Sequence, residues 1–331
     1  MRQRIITMAC SLVFALSLTA ESGVAQPAPK SYRIGWLSNG SGEAASDPAV
    51  ADFRQGLADL GYVEGKNVTI DYRYGGGSAE KLNEQATDLA RQPVAVIVTS
   101  GDPAALAAKR ATRTTQIVAG ELALDPVKLG LVSSLARPDG NVTGLVTMSE
   151  ELWQKRLALL KDIAPGVSRP AVIAHPANPS NVSCIQEIRL AAPTLGMTPR
   201  IVEVANGKAL ELALADLAKS PPDAIVICWD GITLANAKAI ADLALRLRLP
   251  SLAPFSEYTR AGALLSFGTS LPAQRRRAAY YVDRMAKGVK ASDIPVEQPK
   301  VFELVVNIKT AKALGLTVPP QFLLLADELI Q

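Results

Sequence analysis

The fold is decided by VAVIVTSGDPAALAAKRA, residues 94–111. Val94 to Thr99 is a short run of mostly β-branched apolar residues, the pattern of a strand covered on both faces. Thr99-Ser100-Gly101 ends the run, Asp102 is expected as the helix N-cap, and Pro103 stands at the helix start, where its missing N–H costs nothing. Pro103 to Ala111 then reads as a helix rich in alanine. A strand that turns directly into a helix is half of a β–α–β unit, and the right-handed crossover that completes it makes the sheet mostly parallel.

The same alternation extends in both directions. Strands are expected at Arg33–Leu37, Asn67–Tyr72, Gln116–Ala119 and Val142–Leu145. Helices are expected at Ala49–Leu60, with Phe53, Leu57 and Leu60 on one face, and at Ala79–Arg91. A second series follows, with helices at Glu150–Ile163, Ser180–Leu195, Leu210–Ala218 and Thr233–Leu247. Its strands are expected at Pro170–Ala174, Thr198–Val204, Ala224–Trp229, Ser251–Pro254 and Ala263–Phe267. The two series share an order of elements and no residue-level repeat. A helix at Gln274–Lys287, an extended stretch at Phe302–Asn307 and a short helix at Lys309–Leu314 belong to neither series and are expected to lace the two units together.

Composition bounds the function. With 331 residues the chain is long enough for two α/β units, and 48% hydrophobic against 20% charged residues is the balance of a folded protein. The 35 basic and 31 acidic residues are interspersed, and the longest basic run is Arg275-Arg276-Arg277, which argues against a nucleic-acid partner. Three cysteines and one histidine leave too few ligands for a Cys/His zinc site, so neither metal nor cofactor is expected. Arg2 and Arg4 precede an apolar stretch from Ile5 to Ala20, and Gly23-Val24-Ala25 follows as a small-residue cleavage site. Residues 1–25 therefore read as a signal peptide and the mature chain as periplasmic. Of the remaining cysteines, Cys228 lies in the apolar run 224–229, and Cys184 and Cys228 are expected as buried free thiols, with a disulfide as the alternative.

Several blocks resemble one family. Gln55-Gly56-Leu57 with residues 60–68, LGYVEGKNV, Asp125-Pro126-Val127 with residues 134–144, SLARPDGNVTG, and residues 294–299, IPVEQP, with 307–316, NIKTAKALGL, run in order across nearly the whole mature chain. Together they are similar to the ABC transporter substrate-binding proteins of the tryptophan/tyrosine type. The resemblance implies a type I periplasmic-binding-protein fold: two Rossmann-like lobes with parallel sheets and three hinge crossovers. On that pattern one lobe takes residues 31–145 with about 268–298, and the other takes 146–267 with about 299–331. It further implies a monomer that captures a small molecule, an amino acid or related carboxylate, in the cleft between lobes and delivers it to a membrane permease with a cytoplasmic ATPase. The chain departs from the family at Thr99-Ser100-Gly101-Asp102, at Ala119-Gly120-Glu121 and at Ala263. The first two departures fall at expected pocket positions, so the ligand is not carried over.

Capturing an amino acid requires backbone N–H groups and hydroxyls for its carboxylate and an acceptor for its ammonium. Strand-to-helix turns supply Ser38, Asn39, Thr99, Ser100 and Gly101 in the first unit, and Asn141 and Thr143 stand at its end. In the second unit the loop His175-Pro176-Ala177-Asn178-Pro179-Ser180-Asn181 follows a strand and opens a helix, bringing His175, Asn178 and Asn181 to the cleft. Asp230 is the expected ammonium acceptor and Glu121 a second one, against the plainer reading of Asp230 as an N-cap for the helix at Thr233. Phe255 and Trp229 either wall the cleft or pack in the core.

Two rival readings remain. A module with the same fold and pocket can present its solute to a membrane sensor. An exported enzyme is suggested by Gly40-Ser41-Gly42-Glu43-Ala44-Ala45, a loose G-x-G-x-x-A with Asp71 where a ribose-binding acid would stand. No G-x-S-x-G elbow occurs, and the single histidine lies in no catalytic motif, so the chain is read as a binding protein.

Overall fold

Period-two alternation along each strand decides what the helices cover. The structure, a computed structural model, describes residues 32–40 and 42–331, and the expected signal peptide at 1–25 lies outside them. The first sheet is built from β1 (Tyr32–Ser38), α1 (Pro48–Asp59), β2 (Val68–Tyr74), α2 (Ala79–Arg91), β3 (Val96–Ser100), α3 (Asp102–Ala111), β4 (Gln116–Leu122) and β5 (Val142–Val146). Its order is β2-β1-β3-β4-β5, all parallel. Ile34 and Trp36 of β1 with Val96 and Val98 of β3 pack on one face with Phe53 and Leu57 of α1. Leu37 and Ile97 pack on the other face with Leu89 of α2 and Ala104 of α3.

The second sheet follows the same rule. It comprises α4 (Trp153–Ile163), β6 (Ala171–Ala174), α5 (Pro179–Ala191), β7 (Arg200–Glu203), α6 (Gly207–Lys219), β8 (Ile225–Ile227), α7 (Gly231–Ala235), α8 (Ala237–Arg246), β9 (Ser251–Ala253), α9 (Ser256–Arg260) and β10 (Leu265–Gly268). Ile225 and Ile227 of β8 face Leu217 and Ile240, whereas Val226 faces Leu157 and Ile188 on the opposite side. After β10 come α10 (Leu271–Ala286), β11 (Glu303–Asn307), α11 (Ile308–Leu314), α12 (Pro320–Leu325) and β12 (Glu328–Ile330). The strand order is β12-β11-β10-β9-β8-β6-β7, and only the β10/β11 pair is antiparallel.

Helix α10 returns to the first sheet and lies on α1 at Gly56, where an added Cβ would come within 2.6 Å of the Arg276 carbonyl oxygen. A larger residue at position 56 would push the two helices apart. The chain thus passes between the sheets three times: after β5, after β10 and between α10 and β11. The segments expected to belong to neither unit are in fact full members of each, with α10 covering the first sheet and β11 extending the second.

Four further readings need correction. Cys184 on α5 and Cys228 after β8 are joined in a disulfide, with Cα atoms 6.2 Å apart. Both residues are buried, as a free-thiol reading requires, but α5 lies over the strand end at bonding distance, which a linear sequence does not reveal. Asp102 is not a cap: Gly101 with φ 84° holds that position, and Asp102, inside the first turn, accepts from the N–H groups of Ala123 at 3.3 Å and Leu124 at 3.4 Å. Leu60 is 40% exposed, because α1 ends at Asp59 and turns Leu60 off its apolar face. Asp71, weighed as a ribose ligand, stands within β2 and is paired with Arg33 at 2.6 Å.

Candidate functional site

Every parallel strand delivers its following loop to the same edge of its sheet, so polar turns gather at the carboxyl ends. Those edges of the two sheets face each other across a cavity of about 530 Å³. Of the expected residues, Ser38, Asn39, Ser100 and Gly101 line it from the first sheet and Asn178 and Asp230 from the second. Trp229 also lines it, while Phe255 lies behind Trp229 in an edge-to-face contact with centroids 5.6 Å apart. The cavity is narrow at its rim, since a Cβ on Gly231 would fall 2.9 Å from the Gly40 Cα and N. Gly101 meets the Trp229 ring in the same way, its Cβ position lying 3.1 Å from Cη2. The two halves therefore touch in a closed arrangement.

Several expected residues stand elsewhere. Asn141 donates to the carbonyls of Thr112 and Thr115 and accepts from Lys109 Nζ, and Thr143 donates to the Ile294 carbonyl at 2.6 Å. Both fasten β5 to its surroundings and neither reaches the cavity. Thr99 is buried behind the turn. Asn181 is a brace: it accepts from the His175 N–H at 2.8 Å and donates to the Trp229 carbonyl at 2.7 Å, which locks the loop after β6 to the loop after β8. His175 lies behind the lining, with Nδ1 3.2 Å from Asp230 Oδ2.

Asp230 is the hub of that second wall. Its Oδ1 accepts from the Ile232 N–H at 2.8 Å and its Oδ2 from Asn178 Nδ2 at 2.8 Å, while its own N–H donates to Thr233 Oγ1 in a capping box. Both carboxylate oxygens are thus engaged within the protein. The expected helix Thr233–Leu247 is broken into α7 and α8 at Asn236, and this short α7 is what turns Gly231 toward Gly40.

Glu121 lies one layer behind the lining. It sits at a register break in β4, between Ala119 and Leu122, with φ 56°, a conformation that a side-chain-bearing residue adopts only under constraint. The bulge turns its carboxylate between Ser100 Oγ, which donates to Oε2 at 2.5 Å, and Arg275 Nε, which donates to Oε1 at 2.5 Å. Arg275, which the sequence does not single out, lines the cavity together with Glu257 of α9, Asp47 and Lys238 among others. Burial alone would lower the Arg275 pKa, but the surrounding carboxylates of Glu121, Glu257 and Asp52 outweigh it and hold the guanidinium charged. The signal was present in the sequence: Arg275 stands at helical spacing with Leu271, Ala278 and Val282, on the apolar face of α10.

Burial also pushes the Asp102 carboxyl up to about 7, against the hydrogen bonds from the Leu124 and Ala123 N–H groups that favour its charged form. Helix α3, which begins at Asp102, also packs against α5 of the second half.

Comparison with known proteins places this arrangement. The model of a family described as ABC transporter substrate binding protein matches residues 42–330. A curated relative, the tyrosine-binding protein of Clostridioides difficile strain R20291, is 26% identical over 272 residues, covering 82% of this chain and 77% of the relative. A conserved domain protein from Vibrio cholerae O1 biovar El Tor superposes with a TM-score of 0.79 at 26% identity, covering 91% of this chain and all of that one. An ABC domain from Streptococcus pneumonia, solved in complex with L-Trp, gives a TM-score of 0.79 at 23% identity over 91% of this chain and all of its own.

Proposed function

Because this chain belongs to the ABC transporter substrate-binding proteins, which it matches over residues 42–330, we propose that it is the extracytoplasmic solute receptor of an importer. It captures an amino acid or related carboxylate between its two halves and hands it to a membrane permease driven by a cytoplasmic ATPase. The observation that carries this reading is the cavity itself, walled by the strand-end loops of both sheets, whose backbones meet at Gly40 and Gly231. A solute there touches both halves at once and therefore favours the closed form over the open one by its differential contacts.

The amino-acid class is supported by the tyrosine-binding relative. Export through the signal peptide at residues 1–25 to the periplasm is supported by the Cys184–Cys228 disulfide, a bond that persists in oxidising compartments. The receptor acts as a monomer, without catalysis, and the two passages on either side of α10, with the one after β5, serve as its hinge. A thermal-shift screen of the mature chain against amino acids, small carboxylates and aromatic acids tests the reading, since a ligand that binds only the folded form raises the melting temperature. At least one amino acid is expected to do so, and a screen in which none of these compounds acts would overturn the proposal.

A further inference from the structure

The second wall of the cavity stands on a covalent bond. Helix α5 presents one buried face to the end of β8, where Ser180, Asn181, Cys184 and Ile188 recur at three- and four-residue spacing and are at most 1% exposed. The polar end of that face holds the lining. Asn178, the N-cap of α5, donates to Asp230 Oδ2, and Asn181 donates to the Trp229 carbonyl. One turn further along, Cys184 is bonded to Cys228, the residue before Trp229 and Asp230. Cys228 is itself pinned on both sides: its N–H donates to the Ile173 carbonyl of β6 at 2.9 Å, and its carbonyl accepts from Thr233 Oγ1 at 3.1 Å. The disulfide therefore ties α5 to a fixed point of the sheet.

The hydrogen bonds and the disulfide do not hold equally once the halves part. Asn178 and Asp230 line the cavity, so an open cleft lets water compete for their donors and acceptors. Cys184 and Cys228 lie beneath the lining, in the core that they share with Leu157, Ile188 and Val226. That core belongs to the second half alone, and parting of the halves leaves it covered. A wall kept in its binding geometry while empty spares the solute the cost of ordering it. With residues 1–25 removed, Cys184 and Cys228 are the two cysteines left, so their pairing has no competitor within the chain.

Resting on the reading of this cavity as the solute site, we infer that Cys184 and Cys228 are positioning residues of that site, and that solute affinity depends on their oxidation state. Oxidised, the pair holds Asn178 against Asp230 in the empty receptor. Reduced, it leaves α5 free to shift from the strand end, and the solute must order the wall as it binds. Forming the bond removes two protons and two electrons from two thiols. The acceptor is a thiol oxidoreductase outside the cytoplasm, whose own disulfide becomes two thiols as that of the receptor forms. The chain becomes a full-affinity receptor only after that exchange.

The test compares the oxidised mature chain with the same chain unfolded, reduced by dithiothreitol and refolded in its presence, with thiols counted under denaturant to verify each state. The probe is the L-amino acid giving the largest melting shift among the twenty, titrated by calorimetry at a temperature where circular dichroism shows both samples folded. Reduction is expected to weaken binding by about tenfold or more, and Cys184→Ala/Cys228→Ala to do the same. Leu89→Ala truncates a buried residue of α2 in the first half and lowers stability without touching the wall, so it should bind as the parent does. Asn178→Ala should weaken binding by about fivefold in the oxidised chain and by less than about twofold in the reduced one, because the bond acts through that residue. Three results overturn the inference and leave solute capture standing: a reduced chain within about twofold of the oxidised one, Leu89→Ala weakened as much as the reduced chain, or Asn178→Ala without effect in the oxidised chain. If no amino acid binds the oxidised chain, the solute reading falls and this inference with it.

Discussion

Gly231→Ala tests closure of the two halves at the point where their backbones meet. Position 231 opens α7 with ordinary backbone dihedrals, and alanine is the better helix former, so the second half is not weakened by the change. The added Cβ, however, lies 2.9 Å from both the Cα and the N of Gly40 in the closed arrangement. Neither contact is the tip of a flexible side chain, so the halves must part by a few tenths of an ångström. Overpacking of this kind costs about 1–3 kcal/mol, charged only to the closed form. The dissociation constant for the amino acid found in the thermal screen should therefore rise by about 5- to 150-fold, with the melting temperature of the free protein unchanged. Titration calorimetry on the two proteins measures it. An affinity within twofold of the parent would refute the idea that solute binding requires Gly40 and Gly231 to meet.

Other outcomes follow from the same geometry. Reducing the Cys184–Cys228 disulfide, or replacing both cysteines by alanine, removes a cross-link between residues 44 apart and should lower unfolding stability by about 4 kcal/mol, read from urea melts with and without reductant. Asp102 has a folded pKa near 7, above its unfolded value, so its contribution is complete at low pH and is lost as pH rises from about 4 through 7; Asp102→Asn should exceed the parent in stability at pH 8 by a few kcal/mol and lose that advantage near pH 4 in paired melts. Asp230→Ala removes a capping box and the partner of Asn178 and His175, and thermal melts should show a loss of about 2–4 kcal/mol. Asp71→Asn breaks a partly exposed pair with Arg33 and should change stability by less than about 1 kcal/mol, leaving solute affinity unaltered in calorimetry.

The sequence carried the long elements well because they have a period to read. Helix α2 runs over the expected residues Ala79–Arg91, and the 94–111 stretch folds as a strand, a glycine turn and a helix. Short pieces have no period: α9 and α12 have 5 and 6 residues and β12 has 3, and each forms only because a neighbouring strand or helix holds it. Candidate site residues were legible where they ended strands, since parallel topology alone sends Ser38, Ser100, Asn178 and Asp230 to the cavity edge. Asn141, Thr143 and Asn181 have the same composition as ligand groups, yet their amides and hydroxyls are used by backbone groups far away in sequence, and only the tertiary fold reveals that. Glu121 and Arg275 are 154 residues apart, and a one-residue bulge decides that they meet.

Solute capture depends on two halves that close around the ligand. Small-angle scattering of the mature chain, with and without the amino acid that gives the largest melting shift, tests that most directly. A smaller radius of gyration at saturation, returning to the starting value on dialysis, is the predicted result; identical profiles with binding verified by calorimetry on the same samples would contradict it.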